Sequence, residues 1–264
     1  MYTSDDHTFA ICAYKSSPHL EDCVKSIINQ ISPSSVFIAT STPNDHIADI
    51  ARRYNLRVFV NLEQPGISSD WNFAAAQSHT PLITIAHQDD IYSPDYSSEM
   101  LNAVNTSDNP LLFFSDYGEL RNGDTISDSR LLRIKRMLLA PLKNHRLRGN
   151  SLVKRRCLSL GSPICCPSVT YHMPTLPKPL FLNNYKCDLD WETWERVSRI
   201  EGDFLYSPKA LMLHRIHGES ETSNLIANNT RSQEDLEMLE KFWPKYMARF
   251  INHFYAKAQN SNAL

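Results

Sequence analysis

Two periods alternate along the first hundred residues. Runs rich in β-branched and aromatic residues, 8–14 (TFAICAY), 35–40 (SVFIAT), 56–61 (LRVFVN) and 81–86 (PLITIA), read as strands. Between them the apolar positions fall at helical spacing. Over 18–31, Leu20, Cys23, Val24, Ile27, Ile28 and Ile31 share one face. Asn44 or Asp45 is placed to cap a helix that runs to Tyr54, and Ser68 or Ser69 to cap one through Trp71 and Phe73 to Gln77. Strands alternating with helices at this spacing predict an α/β fold with a mostly parallel sheet covered on both faces.

The rhythm loosens afterwards. A strand is predicted at 111–117 with a turn at Asn122-Gly123, partial helix over 130–156, a strand at 164–171 and an extended loop at Pro174, Pro177 and Pro179. A helix is predicted from Leu189 to Ile200, then short strands near Phe204 and Leu211. Two C-terminal helices follow, split at Trp243-Pro244. No repeat or linker divides the chain.

Composition adds little to this picture: 42% hydrophobic and 21% charged residues describe an ordinary globular protein of 264 residues. No apolar run approaches the roughly 18 residues that cross a bilayer, and the N-terminus has no basic-then-apolar leader. Six cysteines without a CxxC pair predict reduced thiols, a cytoplasmic setting and no structural zinc. Charge is more informative. Residues 1–129 carry −11, residues 130–187 carry +12 with no acidic residue, and the remainder carries −3. The basic block is either a site for an anionic partner or a solvated surface beside the acidic half.

The stretch IAHQDDIYSPDY (85–96) carries the chemistry. A buried strand runs into His87, Gln88, Asp89 and Asp90. In open α/β sheets ligands bind at the carboxyl ends of strands. Adjacent carboxylates repel unless a cation or hydrogen-bond donors hold them. Oxygen ligands at such an edge suit Mg²⁺ or Mn²⁺ carried by a diphosphate; the alternative is that Asp89 or Asp90 caps the next helix.

Five segments in order resemble the family 2 glycosyltransferases: LEDCVKSIINQ (20–30) after the first strand, QPGISSDWNFAAAQS (64–78), IAHQDDIYSPDY, DWETWERV (190–197) and PKALMLHRIHGESETS (208–223). The resemblance covers most of residues 8–220. It implies a GT-A fold over 1–225, with a nucleotide-sugar half (1–117), an acceptor half (118–225) and a helical extension (226–264). It also implies inverting transfer of a sugar from a nucleoside diphosphate, with UDP the expected carrier, to a glycan or lipid-linked glycan in surface polysaccharide synthesis.

Carried onto this chain, the resemblance makes Asp190 the catalytic base and Asp89 the metal ligand. Asp90 coordinates through water or holds the loop, and His217 is either a second ligand or a structural hydrogen-bonder. Ala13, Tyr14, Thr40, Ser41, Gly66, Asn72, His87, Gln88 and Arg215 are expected around the donor, with Trp191 and Asp188 on the acceptor side. Trp191 either offers a face to a sugar or is buried, and Asp188 is the rival to Asp190 as base and the better N-cap candidate. Glu192 with Arg196, and Glu195 with Arg199, have the spacing of ion pairs on a wet face.

Departures from the family pattern are equally legible. His87 stands where an aspartate usually meets ribose, Thr40 and Ser41 stand where an aspartate meets the nucleobase, and Asp70 replaces a phosphate-contacting base. Arg148 or Lys154 of the basic block is the expected compensation. These departures favour a catalytically silent sugar-nucleotide or glycan binder as the alternative. Without a GxGxxG or P-loop, a dinucleotide enzyme and a kinase are disfavoured, and no nucleic-acid partner is expected. The last helix sets Met247, Phe250, Ile251 and Phe254 opposite Lys245, Arg249, His253 and Lys257. It packs on its own domain or makes a weak peripheral contact with the inner face of the cell membrane.

Overall fold

The computed structural model describes residues 1–63, 66–216 and 230–260, except for the side chains of 230 and 256–260. His217 and Ser223 of the late motif lie outside the described residues.

The alternating periods of the N-terminal half fold as the pattern dictates. The strands are β1 (His7–Ala13), β2 (Ser35–Thr40), β3 (Arg57–Val60) and β4 (Leu82–His87). The helices between them are α1 (Leu20–Ile28), α2 (Asp45–Arg53) and α3 (Ile67–Gln77). Asn44 caps α2 by accepting the Ile47 N–H at 3.0 Å. Helix α3 begins before the expected serine cap. Gly66 is its N-cap, Ser68 Oγ donates to Asn183 Oδ1, and Ser69 Oγ accepts from Asn61.

Beyond β4 come β5 (Ile91–Tyr92), α4 (Tyr96–Val104), β6 (Pro110–Arg121), β7 (Asp124–Ile126), α5 (Arg130–Leu139), α6 (Ser151–Cys157) and β8 (Val169–His172). Then follow α7 (Leu189–Val197), β9 (Asp203–Ile216), α8 (Thr230–Glu240) and α9 (Lys245–Asn260). Asn122 and Gly123, both at positive φ, make the β6–β7 hairpin turn. The two short strands expected near Phe204 and Leu211 are one strand, β9. It runs beside β6 through register shifts at Ser115/Asp116 and Asp116/Gly118, which carry the pairing past Pro208. The strand expected from 164 starts only at Val169, after a 3₁₀ turn at Cys166–Ser168.

The described strands form one sheet in the order β3-β2-β1-β4-β8-β6-β9-β5, with β7 on β6. Pairs β3-β2-β1-β4 and β6-β9 are parallel, and β8 is inserted antiparallel between β4 and β6. Alternation along β1 sends Phe9 and Ile11 to the face under α1, α2 and α4, and Ala10 to the other. That other face packs against α3, α6, α7 and the C-terminal helices through Ala74, Cys157, Trp191, Trp194, Met238, Leu239 and Ala248. The C-terminal helices are therefore part of the main core. All six cysteines are free thiols, and no described helix is long and apolar enough to cross a membrane.

Candidate active site

Strand order reverses at β1: the chain moves outward through β2 and β3, then returns on the other side of β1 as β4. Register places Ala13 beside Thr40 and Cys12 beside His87, so the crevice opens at these carboxyl ends. On the β2 side, Thr40 Oγ1 accepts the Thr42 N–H at 3.0 Å. Ser41 Oγ donates to Asp70 Oδ2 at 2.9 Å, and Asn61 Nδ2 donates to Asp70 Oδ1 at 2.8 Å. The acid that replaces a basic residue thus lies in the first turn of α3, where the helix dipole favours an anion. It brings a carboxylate to the corner where Thr40 and Ser41 supply none.

On the β4 side, Asp90 is fully buried. Its Oδ1 meets His214 Nδ1 and the Arg215 N–H, each at 2.9 Å. Arg215 Nε donates to the Asp89 carbonyl at 2.9 Å, and its guanidinium lies 3.6 Å from Asp22. Burial lowers the His214 pKa, but the charge and hydrogen bond of Asp90, with Asp89 behind, outweigh it and push the group up to about 8. His214 is therefore cationic at neutral pH and offsets the Asp90 charge. His87 stacks on Trp71 with ring centroids 5.0 Å apart. Burial pulls its pKa below the ordinary value despite Asp90 and Asp89, so it is neutral.

No three His, Cys, Asp or Glu side chains converge as a metal cage among the described residues. A smaller donor set is present. Asp90 Oδ2 and His87 Nε2 are buried without a hydrogen-bond partner among the described residues, and Asp90 Oδ2 lies 3.9 Å from His87 Nδ1. Asp89 stands beside them. A divalent cation that arrives with a diphosphate needs only one or two protein carboxylates, so these residues fit one.

The second corner is the start of α7. Asp190 lies in its first turn, and its Oδ1 accepts the Trp191 N–H at 2.6 Å. Burial raises its pKa to about 6, against the opposing effects of the Trp191 N–H, Arg231 and Lys135. A carboxyl tuned to this range is suited to take a proton near neutral pH. The Cys165–Cys166 turn lies near both corners. Burial pushes both thiols well up, and the charges of Asp90 and Asp190 both contribute. Lys135 of α5 reaches the same region. Its Nζ donates to Tyr117 Oη at 2.9 Å, the Tyr117 ring meets His214 edge-on at 6.4 Å, and the Lys135 charge acts on both His214 and Asp190.

Several expected roles are corrected by this geometry. Trp191 is fully buried, donates Nε1–H to the Leu158 carbonyl and stacks on Phe242, so no face is left for an acceptor. Asp188 stands at the N-cap of α7 but is buried and makes no side-chain capping bond. Asn72 is used by Phe181, with Nδ2 to its carbonyl at 2.7 Å and its N–H to Oδ1 at 3.0 Å. Gln88 makes a similar pair of 3.0 Å bonds with the Tyr14 backbone, tying β4 to the end of β1. Arg148 pairs with Asp203 at 2.8 Å and bonds Thr106, while Lys154 is buried on the Ile200 and Gly202 carbonyls. Glu192 and Glu195 do pair with Arg196 and Arg199, but both acids are buried rather than on a wet face. Neither Asp89 nor Asp90 caps α4, whose N-cap is Asp95. Gly66 and the exposed Tyr14 lie at the donor edge. Trp71, Lys135 and His214 went unassigned in the sequence, although His214 sits in the quoted late motif, and Asp70 was read only as the loss of a phosphate contact.

The family model for glycosyl transferase family 2 matches residues 8–168. The chain belongs to that family. A search of curated protein sequences found no match. Among solved structures, the S. aureus TarS 1–349 fragment aligns with a TM-score of 0.64 at 14% identity, covering 97% of this chain and 73% of that one. A mannosyltransferase from Pyrobaculum calidifontis, solved with GDP-Man and Mn²⁺, aligns at 0.65 and 14%, covering 97% and 70%. Glucosyl-3-phosphoglycerate synthase from Mycobacterium tuberculosis, solved with Mn²⁺ and UDP-glucose, aligns at 0.55 and 14%, covering 89% and 79%. The GT-A fold is shared with all three, and the family 2 chain is a nucleotide-sugar glycosyltransferase.

Proposed function

We propose that this family 2 glycosyltransferase transfers a sugar with inversion from a nucleoside diphosphate to a hydroxyl of a glycan or lipid-linked glycan. The observation that carries the reading is the presence of two acidic corners that both act on the Cys165–Cys166 turn. One is the strand end with Asp89 and the buried Asp90 Oδ2, which has no hydrogen-bond partner among the described residues; the other is Asp190, held near a pKa of about 6. Asp190 accepts the proton of the attacking hydroxyl as that oxygen reaches the anomeric carbon. Asp89, with Asp90 Oδ2 and His87 Nε2 at its side, is the set that holds Mn²⁺ or Mg²⁺. When bound, the cation offsets charge on the departing diphosphate. Lys135, rather than Arg148 or Lys154, is the member of the basic block placed to face donor phosphate. Asp70, steadied by Ser41 and Asn61, accepts an N–H from the nucleobase edge; uracil and guanine both present one.

Surface polysaccharide synthesis at the inner face of the membrane suits this acceptor class. Helix α9 supports a peripheral contact. Its inward residues are Ala248, Ile251 and Tyr255, while Tyr246, Phe250 and Phe254 stand out with relative exposures of 74%, 67% and 56%. Lys245 and Arg249 are also exposed, and the helix has no acidic residue. This differs from the face read in the sequence, where Ile251 was grouped with Phe250 and Phe254. An aromatic stripe with basic neighbours suits an anionic lipid surface.

The test is calorimetric titration of nucleoside diphosphates with and without Mn²⁺, followed by turnover with sugars of the nucleotide that binds. Metal-dependent binding of one nucleotide with turnover supports the reading. Binding without turnover of any donor favours the silent binder, and no binding by folded protein overturns both.

A further inference from the structure

Helix α7 starts on a turn that its N-cap side chain does not cap. Asp188, at the N-cap, makes no side-chain capping bond. The backbone donors ahead of the helix are instead collected by another element. Glu234 of α8 accepts the Lys186 N–H at 2.9 and 3.1 Å through its two oxygens, the Cys187 N–H at 2.7 Å and the Asp188 N–H at 3.1 Å. Three successive N–H groups form a concave anion site, and it is occupied by a carboxylate from 46 residues further along the chain. The anion also lies at the positive end of α7.

The same face of α8 supplies two more groups. Asp235 is fully buried beside the Asp188 carboxyl, which desolvation and the charges of Asp235 and Asp190 push well above the carboxylate range. Arg231, one turn earlier, acts electrostatically on Asp235, Asp188 and Asp190. Residues 231, 234 and 235 share the (i, i+3, i+4) spacing of one helix face, and all three are engaged with the turn that carries Asp190. A helix needed only for packing would meet this turn with apolar side chains, as Met238 and Leu239 meet the core.

We propose that Glu234 is a positioning residue: by holding the N–H groups of 186–188, its carboxylate fixes the turn that presents Asp190 to the acceptor. The inference rests on Asp190 being the base. The hydrogen bonds of Glu234 described above all go to the 186–188 turn, so its loss is expected to leave nucleotide binding alone and to act on Asp190. The charged and titratable groups around Asp190 are Asp188, Asp235 and Arg231, Lys135 of α5, Cys165, Cys166 and Tyr171. Loosening the turn admits water to Asp190 while these neighbours stay in place.

The experiment follows the Asp190 carboxyl directly, by ¹³C NMR of aspartate-labelled protein with Asp190→Asn to assign the resonance, alongside kcat, donor KM and thermal melting. In Glu234→Ala the Asp190 midpoint is expected to fall from near 6 toward the ordinary carboxylate range. kcat should drop about a hundred-fold, the scale of a misplaced catalytic group, with donor KM within about two-fold by the same reasoning. Glu234→Gln keeps an acceptor oxygen and is expected to restore most of kcat and the wild-type midpoint; it also serves if the alanine variant does not fold. An unmoved Asp190 midpoint in a folded Glu234→Ala, or in a Glu234→Gln with kcat lost, overturns the proposal. The titration needs no turnover, so failure of the transferase reading would show separately, as wild-type protein inactive on every donor.

Discussion

His214 Nδ1 and Asp90 Oδ1 hydrogen-bond at 2.9 Å, joining β9 to the end of β4. Asp90 also takes the Arg215 N–H, so this buried acid ties β9 to the end of β4, whereas Asp89 is the proposed cation ligand. Asp90→Ala is expected to lose about 3–5 kcal/mol, the cost of breaking a buried pair. Asp89→Ala should lose about 1 kcal/mol or less but weaken Mn²⁺-dependent nucleotide binding. Urea unfolding and calorimetry read the two, and equal losses of stability would refute the division.

Asp190→Asn removes the proposed base and should lower kcat by about 10²–10⁴-fold with donor affinity retained. In the wild type, kcat/KM should rise with pH through about 6, because the base must be deprotonated. The stability effect has the opposite sign. The folded-state pKa lies above the unfolded value of 3.8, so the folded state binds the extra proton between the two. Stability therefore falls as pH rises through that window. The asparagine variant should melt no lower than wild type at pH 8; a lower melting temperature would mean the charge is wanted for structure.

Asp70→Asn keeps the bond from Ser41 but loses an acceptor oxygen's charge. Affinity for the preferred nucleotide should fall about ten-fold, the scale of one charge-assisted hydrogen bond, with metal dependence unchanged. Retained affinity would place the nucleobase elsewhere.

Replacing Phe250 and Phe254 with serine should leave the fold intact, since both rings are exposed. Sedimentation with phosphatidylglycerol vesicles should show binding by wild type at low salt, loss in the variant and loss at high salt. Binding equal in the two proteins would dismiss the aromatic stripe.

The N-terminal half of the fold was readable because its information is local. The strands, the Asn44 cap and the carboxylates at the end of β4 depend on residues within a few positions of one another. The acceptor corner was not readable in that way. Asp188 has the sequence of a capping residue and stands at the N-cap, yet its side chain makes no capping bond and Glu234 takes the backbone donors. Trp191 looked exposable until Phe242 and Tyr255 closed on it. Asn72 and Gln88 have the polarity of ligands, but their partners, Phe181 and Tyr14, are far away in sequence. Even the α9 stripe was off by a fraction of a turn, because periodicity finds an apolar face without saying which part of it is covered.

The hold of Glu234 on the turn before α7 has a consequence for how such enzymes diverge. The acidity of Asp190, the proposed base, depends partly on Arg231 of α8, outside the stretch that the family model recognises. Exchanging the C-terminal helices between two relatives would transplant acid–base behaviour along with them, while the nucleotide preference stayed with the host.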